Sequence, residues 1–267
     1  MSKILKILLF ALLLSSCGKY QKVLKSDDYN YKYEKALEYY KDGDYNRAMP
    51  LFNELSTVLK GSARIQEINF YYAYCHYSTG DNLMAGHLFK NYAINFPNNK
   101  HTEECVYMAA YCYYNEAPIY SLDATNTYKA IKELQSFIDR FPASTRVNKC
   151  NELIDELRVR LSSKAFENAK QYYRTSNYKS AIIALDNVLI DFPSFKNREE
   201  AHFLIVKSTY LFAINSISSK LEERLKETLE ACSHFQDNYP ESIYLEELEE
   251  LYNKTQVSLT KFKNNEI

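Results

Sequence analysis

Small and aromatic residues stand at fixed positions between Ala36 and Phe52. Ala36 and Ala48 are small enough for two antiparallel helices to approach closely, and Tyr39 and Phe52 fill the space beside that contact. Gly43 lies in the polar segment between them, where a glycine ends a helix by adopting the left-handed conformation. The pattern therefore predicts a hairpin of two helices, which we name helix A before the glycine and helix B after it.

The same spacing recurs twice more along the chain. Ala73 and Phe89 occupy the corresponding positions 37 residues later, and Ala169 and Leu185 occupy them again. Helical hairpins with this spacing and period are typical of tetratricopeptide (TPR) repeats. The sequence thus predicts an all-α TPR solenoid of about five repeats. Four repeats end in an aromatic residue followed by proline: Phe96-Pro97, Phe141-Pro142, Phe192-Pro193 and Tyr239-Pro240.

Four segments depart from the regular repeat. Residues 116–125 contain Pro118 among polar residues and predict an enlarged loop in the third repeat. Residues 145–163 lack Gly and Pro and carry one apolar stripe, which predicts a helix A about four turns longer than its neighbours. Residues 214–223 indicate an expanded interhelix segment. Residues 241–262 predict an amphipathic C-terminal helix that caps the solenoid.

The N-terminus is predicted to be a signal peptide. Lys3 and Lys6 precede an apolar run, residues 7–14, that is too short to span a bilayer. The run ends in Leu14-Ser-Ser-Cys17, which resembles the lipoprotein box of bacteria, in which the cysteine thiol carries the lipid. An ordinary signal peptide with an incidental cysteine is the alternative. Gly18 follows Cys17, and by analogy with such lipoproteins this favours the outer membrane and its periplasmic face.

These features predict five segments along the chain. Residues 1–16 form the signal peptide, and residues 17–28 form a lipidated N-terminus with a polar tether. Residues 29–142 contain repeats one to three. Residues 143–262 contain the long helix, repeats four and five and the capping helix, and residues 263–267 form a tail.

Composition excludes several functional classes. A hydrophobic share of 46% with 25% charged residues argues for a packed core, and a formal net charge of −1 lacks the basic footprint of a nucleic-acid-binding protein. The five cysteines other than Cys17 are predicted to be small buried thiols. The histidines are scattered, and no zinc spacing or nucleotide-binding motif occurs. We therefore predict no enzyme, no metal and no cofactor.

Aromatic residues occupy two positions of every helix A, three residues before and four residues after the small position. Because these positions are seven residues apart, they share one face of the helix. The earliest repeats add further rings at Tyr74 and Tyr111. We predict that a groove lined by these rings binds extended, aromatic-rich peptides. The candidate peptide-binding residues are Tyr33, Tyr40, Phe70, Tyr74, Tyr77, Tyr107, Tyr111 and Tyr114.

The same rings have a structural interpretation, in which they pack repeat against repeat and leave nothing to bind. In repeats four and five, Lys170 and Lys207 replace the extra rings. This change from aromatic to basic side chains suggests that the two halves of the chain serve different partners.

A lipoprotein box, about five TPRs, aromatic-Pro repeat ends and a long central helix together resemble the BamD (ComL/YfiO) family of outer-membrane assembly lipoproteins. Residues 139–144, DRFPAS, and 237–242, DNYPES, match the family's habit of ending repeats with aromatic-Pro-x-Ser. The insertion at residues 122–130 resembles members from Bacteroidota in particular. The resemblance covers nearly the whole mature chain, although each motif alone is general to TPRs.

The resemblance implies a scaffold of the β-barrel assembly machinery (BAM complex). The N-terminal repeats would receive the targeting strand of an unfolded outer-membrane protein. The C-terminal repeats would dock on the POTRA domains of the barrel-forming subunit, beside other lipoproteins of the machine and with acylated Cys17 in the bilayer. The candidate docking residues are Tyr173, Arg174, Arg198 and Tyr210.

Two other functions remain open from the sequence. One is an envelope TPR adaptor of another kind, related to pilus assembly or to peptidoglycan. The other is a SusD-like glycan-binding lipoprotein, whose aromatic residues would stack on sugars. That family is roughly twice as long and rich in Trp, whereas this chain has 25 Tyr and no Trp.

Overall fold

The structure is a computed structural model that describes residues 18–264, and every regular element in that range is an α-helix. The predicted signal peptide and Cys17 lie outside the described residues. The helices are α1 (18–24), α2 (Tyr29–Lys41), α3 (Tyr45–Val58), α4 (Ile65–Ser78), α5 (Asn82–Asn95), α6 (Thr102–Asn115), α7 (Thr125–Arg140), α8 (Val147–Arg174), α9 (Tyr178–Asp191), α10 (Arg198–Ile214), α11 (Ser218–Asn238) and α12 (Leu245–Lys263).

The predicted hairpin turns are present in three repeats. Gly43, Gly80 and Ser176 have φ values of 76°, 84° and 61°, in the left-handed region. In the first turn the Asp44 amide donates to the Tyr39 carbonyl at 2.8 Å and the Gly43 amide donates to the Tyr40 carbonyl at 3.1 Å. This is the Schellman pairing, which satisfies the last carbonyls of helix A and reverses the chain into helix B.

The small positions are buried between the paired helices, as the spacing predicts. Ala36 and Ala48 are both fully buried, and Phe52 closes the same contact with none of its surface exposed. Close-packed interiors tolerate little change of volume, so these positions fix the distance between helices A and B. The same burial holds at Ala73, Ala85, Phe89, Ala110, Ala130, Phe137, Ala169, Ala181 and Leu185.

Two of the three predictions for long helices and loops are confirmed. Helix α8 has 28 residues against 14 in α4, which confirms the helix A that is four turns longer. Residues 116–124 form the enlarged loop between α6 and α7. The expansion expected at residues 214–223 is wrong as a loop. Helices α10 and α11 are instead lengthened to 17 and 21 residues, because residues 218–223 contain no Gly or Pro to stop a helix.

The described residues form two compact units. Unit 1 contains the chain from residue 18 to Pro118 together with Asp123–Leu157, and unit 2 contains Ile119–Leu122 together with the chain from Arg158 onwards. The division therefore lies inside α8, after Leu157, whereas the sequence places the boundary of its two halves after residue 142. Each unit contains hydrophobic clusters of its own, and α12 covers Phe203 and Cys232 in unit 2.

The N-terminal segment is more ordered than a polar tether. Residues 18–24 form α1, whose Val23 is only 2% exposed and packs in the core of the first repeat. Lys32, itself 1% exposed, donates to the Leu24 carbonyl at 3.1 Å and pairs with Glu54 at 2.6 Å. The expectation of a tether over residues 17–28 is thus corrected for residues 18–24, because Tyr20, Val23 and Leu24 supply an apolar face.

Candidate functional site

Aromatic side chains form a continuous series of ring contacts through the repeats of unit 1. The ring of Tyr40 lies 4.8 Å from that of Tyr71, and Phe70 joins Tyr71, at 5.6 Å, to Tyr74, at 4.9 Å. Such pairs contribute about 0.5–1.5 kcal/mol each beyond the area they bury. We name the series the aromatic ladder: Tyr40, Phe70, Tyr71, Tyr74, Tyr77, Tyr107, Tyr111 and Tyr114.

The ladder continues from the second repeat into the third. The ring centre of Tyr77 lies 6.3 Å from that of Tyr74 on its own helix and 6.5 Å from that of Tyr111 on α6. Tyr111 stacks on Tyr107 and on Tyr114, at 5.8 Å and 5.7 Å with interplanar angles of 15° and 19°. Seven of the eight predicted peptide-binding residues therefore belong to one connected group of rings, and each member keeps part of its surface exposed.

Tyr33, the eighth predicted residue, has a structural role. It is 6% exposed, and its hydroxyl donates to the Glu67 carboxylate of the second repeat at 2.7 Å. Burial, reinforced by this hydrogen bond, raises the pKa of Tyr33 far above its ordinary value. Phe166 and Phe203, at the same position of later repeats, are each 3% exposed. At this position the packing interpretation is therefore the better one for three of the five rings.

Carboxylates of unit 1 fix two phenols of the ladder. The Tyr74 hydroxyl donates to Glu104, and the Tyr114 hydroxyl donates to Glu156. Burial and the bond to Glu104 raise the pKa of Tyr74, and burial raises the pKa of Tyr40 to about 12. The raised pKa keeps the phenols of Tyr74 and Tyr40 neutral at physiological pH. Hydrogen bonds to glutamates hold the rings of Tyr74 and Tyr114 in place.

Lys170 and Lys207 make the same kind of contact as Tyr74. Lys170 pairs with Glu200 at 2.6 Å, and Lys207 pairs with Glu247 at 2.6 Å. Their charges are thus neutralised within the chain. The different partner that the sequence suggested for unit 2 receives no support from these two lysines.

The four predicted docking residues of unit 2 differ in how they are engaged. Arg198 donates to the Leu189 carbonyl at 2.9 Å, at the end of α9, and so serves the fold. Arg174 leaves 54% of its side chain exposed and contacts Glu167 at 3.4 Å. The Tyr173 ring lies 6.1 Å from that of Tyr178, and both Tyr173 and Tyr210 are half-buried. Arg174 is therefore the docking candidate with the most accessible charge.

The cysteine thiols of the described residues are buried. Cys75, Cys105, Cys112, Cys150 and Cys232 are buried free thiols, which confirms their predicted burial. Burial raises the pKa of Cys75 and Cys112 to about 12, so little nucleophilic thiolate forms at neutral pH. Within residues 18–264, no group of three or more His, Cys, Asp or Glu side chains is placed to hold a metal ion, and no helix is long and apolar enough to cross a bilayer.

Sequence reasoning missed Tyr71 and a recurring glutamate that joins neighbouring repeats. Tyr71 joins the first and second repeats of the ladder, but it lies two residues before the small position and outside the aromatic positions that repeat in every helix A. The glutamates Glu67, Glu104 and Glu200 all lie six residues before the core position of their helix A. That recurrence was a visible signal, because a repeated acid opposite a repeated donor predicts a contact between repeats.

Comparison with known proteins places the chain among bacterial envelope components. The family model YfiO, described as outer membrane lipoprotein, matches residues 25–215 and again residues 162–261. A search of curated proteins found no match. The TPR domain of P58(IPK) covers 90% of this chain and 68% of its own at 16% identity, with a TM-score of 0.41. The TPR2AB domain of yeast Sti1, in complex with a pHSP90, covers 85% and 98% at 15% identity, with a TM-score of 0.39.

With TM-scores of 0.41 and 0.39, these two structures are only loosely similar to the chain. The family match is the stronger evidence, because it extends from residue 25 to residue 261 and so covers nearly all of the described helices. Together with the paired helices, the left-handed turns at a constant position and the buried small residues, it settles the class of protein. The chain is an all-α TPR protein and belongs to the YfiO family of outer membrane lipoproteins.

Proposed function

We propose that this protein is a lipid-anchored scaffold of the β-barrel assembly machinery, facing the periplasm. Cys17 carries the acyl chains. Unit 1 receives unfolded outer-membrane proteins, and unit 2 docks on the POTRA domains of the barrel-forming subunit, beside other lipoproteins of the machine. The observation that carries the proposal is the aromatic ladder, considered together with the family to which the chain belongs.

The ladder suits an extended peptide strand that carries aromatic residues. Its rings are connected across three repeats, so consecutive side chains of one strand can each meet a ring. Carboxylates hold Tyr74 and Tyr114 in place, which lowers the conformational entropy that a ligand must otherwise overcome. Strand recognition commonly combines main-chain hydrogen bonds with pockets for alternate side chains. Binding rather than catalysis is the role that such a surface supports.

We expect docking through unit 2 to depend on Arg174, which has the most accessible charge of the four candidates. Arg174 extends 54% of its side chain into solvent, and Tyr173 lies on the preceding position of α8. Arginine and tyrosine are both frequent anchors in protein interfaces, and the guanidinium forms bidentate pairs with carboxylates. We expect Arg174→Glu to weaken docking without loss of helicity, since its ion pair with Glu167 is at the surface.

Co-purification tests the assignment to the assembly machinery. A tagged, lipidated form is extracted from outer membranes with mild detergent, and its partners are identified by mass spectrometry. We expect the barrel-forming subunit to be recovered at near-stoichiometric amounts. Recovery with components of pilus assembly, peptidoglycan coordination or glycan uptake instead would reject the proposal and select one of the alternatives.

Peptide binding tests the aromatic ladder itself. In the double variant Tyr40→Ala with Tyr77→Ala, we expect the affinity for C-terminal peptides of outer-membrane barrels to fall roughly tenfold, because two ring contacts of about 0.5–1.5 kcal/mol each are lost. The matched control, Tyr173→Ala with Tyr210→Ala, removes the corresponding rings of unit 2 and should leave affinity unchanged. Circular dichroism checks that both variants stay folded. Unchanged affinity of a folded first variant would leave the ladder with a packing role only.

A further inference from the structure

Helix α1 has two faces of opposite chemistry. Tyr20, Val23 and Leu24 face the first repeat, where Val23 is buried and the other two are half-buried. At about 100° per residue, three exposed lysines, the last of them just after α1 ends, lie outside this buried face, two of them opposite it and Lys19 at its edge. These are Lys19, Lys22 and Lys25, with Lys22 nearest the centre of the outward face.

Helix α1 is held firmly on the first repeat. The Tyr20 hydroxyl donates to the Arg47 carbonyl at 3.2 Å, and the Arg47 guanidinium lies over the Tyr20 ring at 5.8 Å. The Tyr20 ring also meets Tyr39 edge-on at 5.7 Å. At the other end of α1, buried Lys32 binds the Leu24 carbonyl. A chain that enters at residue 18 is therefore attached to the folded body without a flexible spacer.

The charges of the three lysines are not used within unit 1. Among residues 18–264, no carboxylate lies within ion-pair distance of Lys19, Lys22 or Lys25, and the described part of α1 contains no acid. Asp28, which follows α1 in the sequence, accepts from the amides of Asn30 and Tyr31 through its side chain and so caps α2. The outward face of α1 is thus a basic strip with no ion-pair partner among residues 18–264.

We propose that this face of α1 lies on the bilayer and binds the anionic headgroups of its phospholipids. The inference rests on the proposed lipidation of Cys17, which immediately precedes α1 and would place its first turn at the membrane surface. Juxtamembrane lysines are attracted to anionic lipid, and the attraction is confined to about one Debye length. Because α1 is fixed to α2 and α3, the contact holds the first repeat at the surface.

Lysine footprinting of the full lipidated protein tests this contact. The protein is reconstituted into vesicles of phosphatidylcholine alone or of phosphatidylcholine with phosphatidylglycerol, floated, and treated with a water-soluble amine-acylating reagent. Mass spectrometry then compares modification of Lys19, Lys22 and Lys25 with that of exposed control lysines, Lys60, Lys129 and Lys179. On anionic vesicles we expect modification of the α1 lysines to fall at least threefold relative to the controls, and to recover at 1 M salt.

The outcomes separate this inference from the proposed function. Protein that floats while its α1 lysines are modified equally on both membranes, or are protected equally on both, overturns the recognition of anionic lipid. Protein that does not float with either vesicle overturns the lipid anchor, and with it the contact that depends on the anchor.

Discussion

Tyr74 in unit 1 and Lys170 in unit 2 occupy the same position of helix A, one residue after the small position. Each binds a glutamate that lies six residues before the core position of the next helix A, Glu104 in one case and Glu200 in the other. The acid is kept while its donor changes from a phenol to an ammonium. The two units therefore share one repeat geometry but join their repeats by different chemistry.

The difference decides what each unit leaves on its surface. In unit 1 the donor is also a ring, so the inter-repeat contact extends the aromatic ladder through Tyr77 to Tyr111. In unit 2 the lysines interrupt the rings, which fall into separate groups around Phe166, Tyr173 and Phe235. A continuous row of rings suits a long apolar strand, whereas isolated rings with an exposed arginine suit a discrete docking contact.

Alkaline pH should produce the largest difference between the two units. A group whose pKa is raised on folding contributes stability below its unfolded pKa and loses it as pH rises through the folded value. For the thiols of Cys75 and Cys112 this window runs from 9.0 to about 12, and for Tyr40 from 10.0 to about 12. Unit 1 holds most such groups: Tyr20, Tyr33, Tyr40, Tyr72, Tyr74, Cys75, Tyr77, Tyr92, Cys105, Tyr107, Cys112 and Cys150.

In unit 2 burial raises the pKa of fewer phenols and thiols, namely Cys232, Tyr239 and Tyr244. We therefore expect unit 1 to unfold first as pH rises. Brief alkylation at stepped pH, followed by mass spectrometry, should modify Cys75 and Cys112 at lower pH than Cys232. Modification of all three cysteines at the same pH would show that the units unfold as one and that their ionisable groups do not distinguish them.

The inter-repeat contacts of Tyr74 and Lys170 should differ in how much they contribute to the unfolding free energy and in how that contribution responds to salt. Tyr74→Phe leaves Glu104 without its donor and should cost about 1.5–3 kcal/mol of unfolding free energy, the range for hydrogen bonds to charged groups. Lys170→Met should cost about 1 kcal/mol or less, because the pair with Glu200 is partly exposed to solvent. Urea unfolding measures both. Added salt should shrink only the Lys170→Met effect, and equal costs with equal salt dependence would contradict the distinction.

The smallest effect concerns the hairpin turns. Ser176 adopts φ 61° where unit 1 has Gly43 and Gly80, and a residue with a Cβ is strained in this region. Ser176→Gly should therefore stabilise unit 2 by about 1 kcal/mol, and Gly80→Ser should destabilise unit 1 by a similar amount. Thermal unfolding of the two variants provides the measurement. Destabilisation by Ser176→Gly would mean that the serine hydroxyl contributes more to this turn than its backbone strain costs.

The repeat architecture could be predicted from sequence because it depends on short, local rules. Small residues such as Ala36 and Ala48, and glycines such as Gly43, specify how closely two helices approach and where the chain turns. The 28-residue helix α8 followed from the lack of Gly and Pro and from a single apolar stripe. These signals recur at a fixed spacing, so one repeat checks another.

The details of the site could not be predicted in the same way, because they depend on which side chains meet across repeats. The polar residues 17–28 suggested a tether, but three apolar side chains were enough to fix α1 on the first repeat. Lys170 suggested a different partner for the C-terminal half, but it pairs with Glu200, which lies 30 residues away in the sequence. Arg198 looked available for docking, but the backbone carbonyls that it binds are invisible in a sequence.

Site-specific photocrosslinking in cells tests most directly the claim that unit 1 receives the substrate while unit 2 docks. A photoreactive phenylalanine analogue replaces Tyr77 of the aromatic ladder or Tyr173 of unit 2, two positions that correspond in the repeat. We expect the analogue at position 77 to crosslink to unfolded outer-membrane proteins and the analogue at position 173 to crosslink to the barrel-forming subunit. Crosslinking of both positions to the same partner, or an exchange of the two partners, would contradict the account.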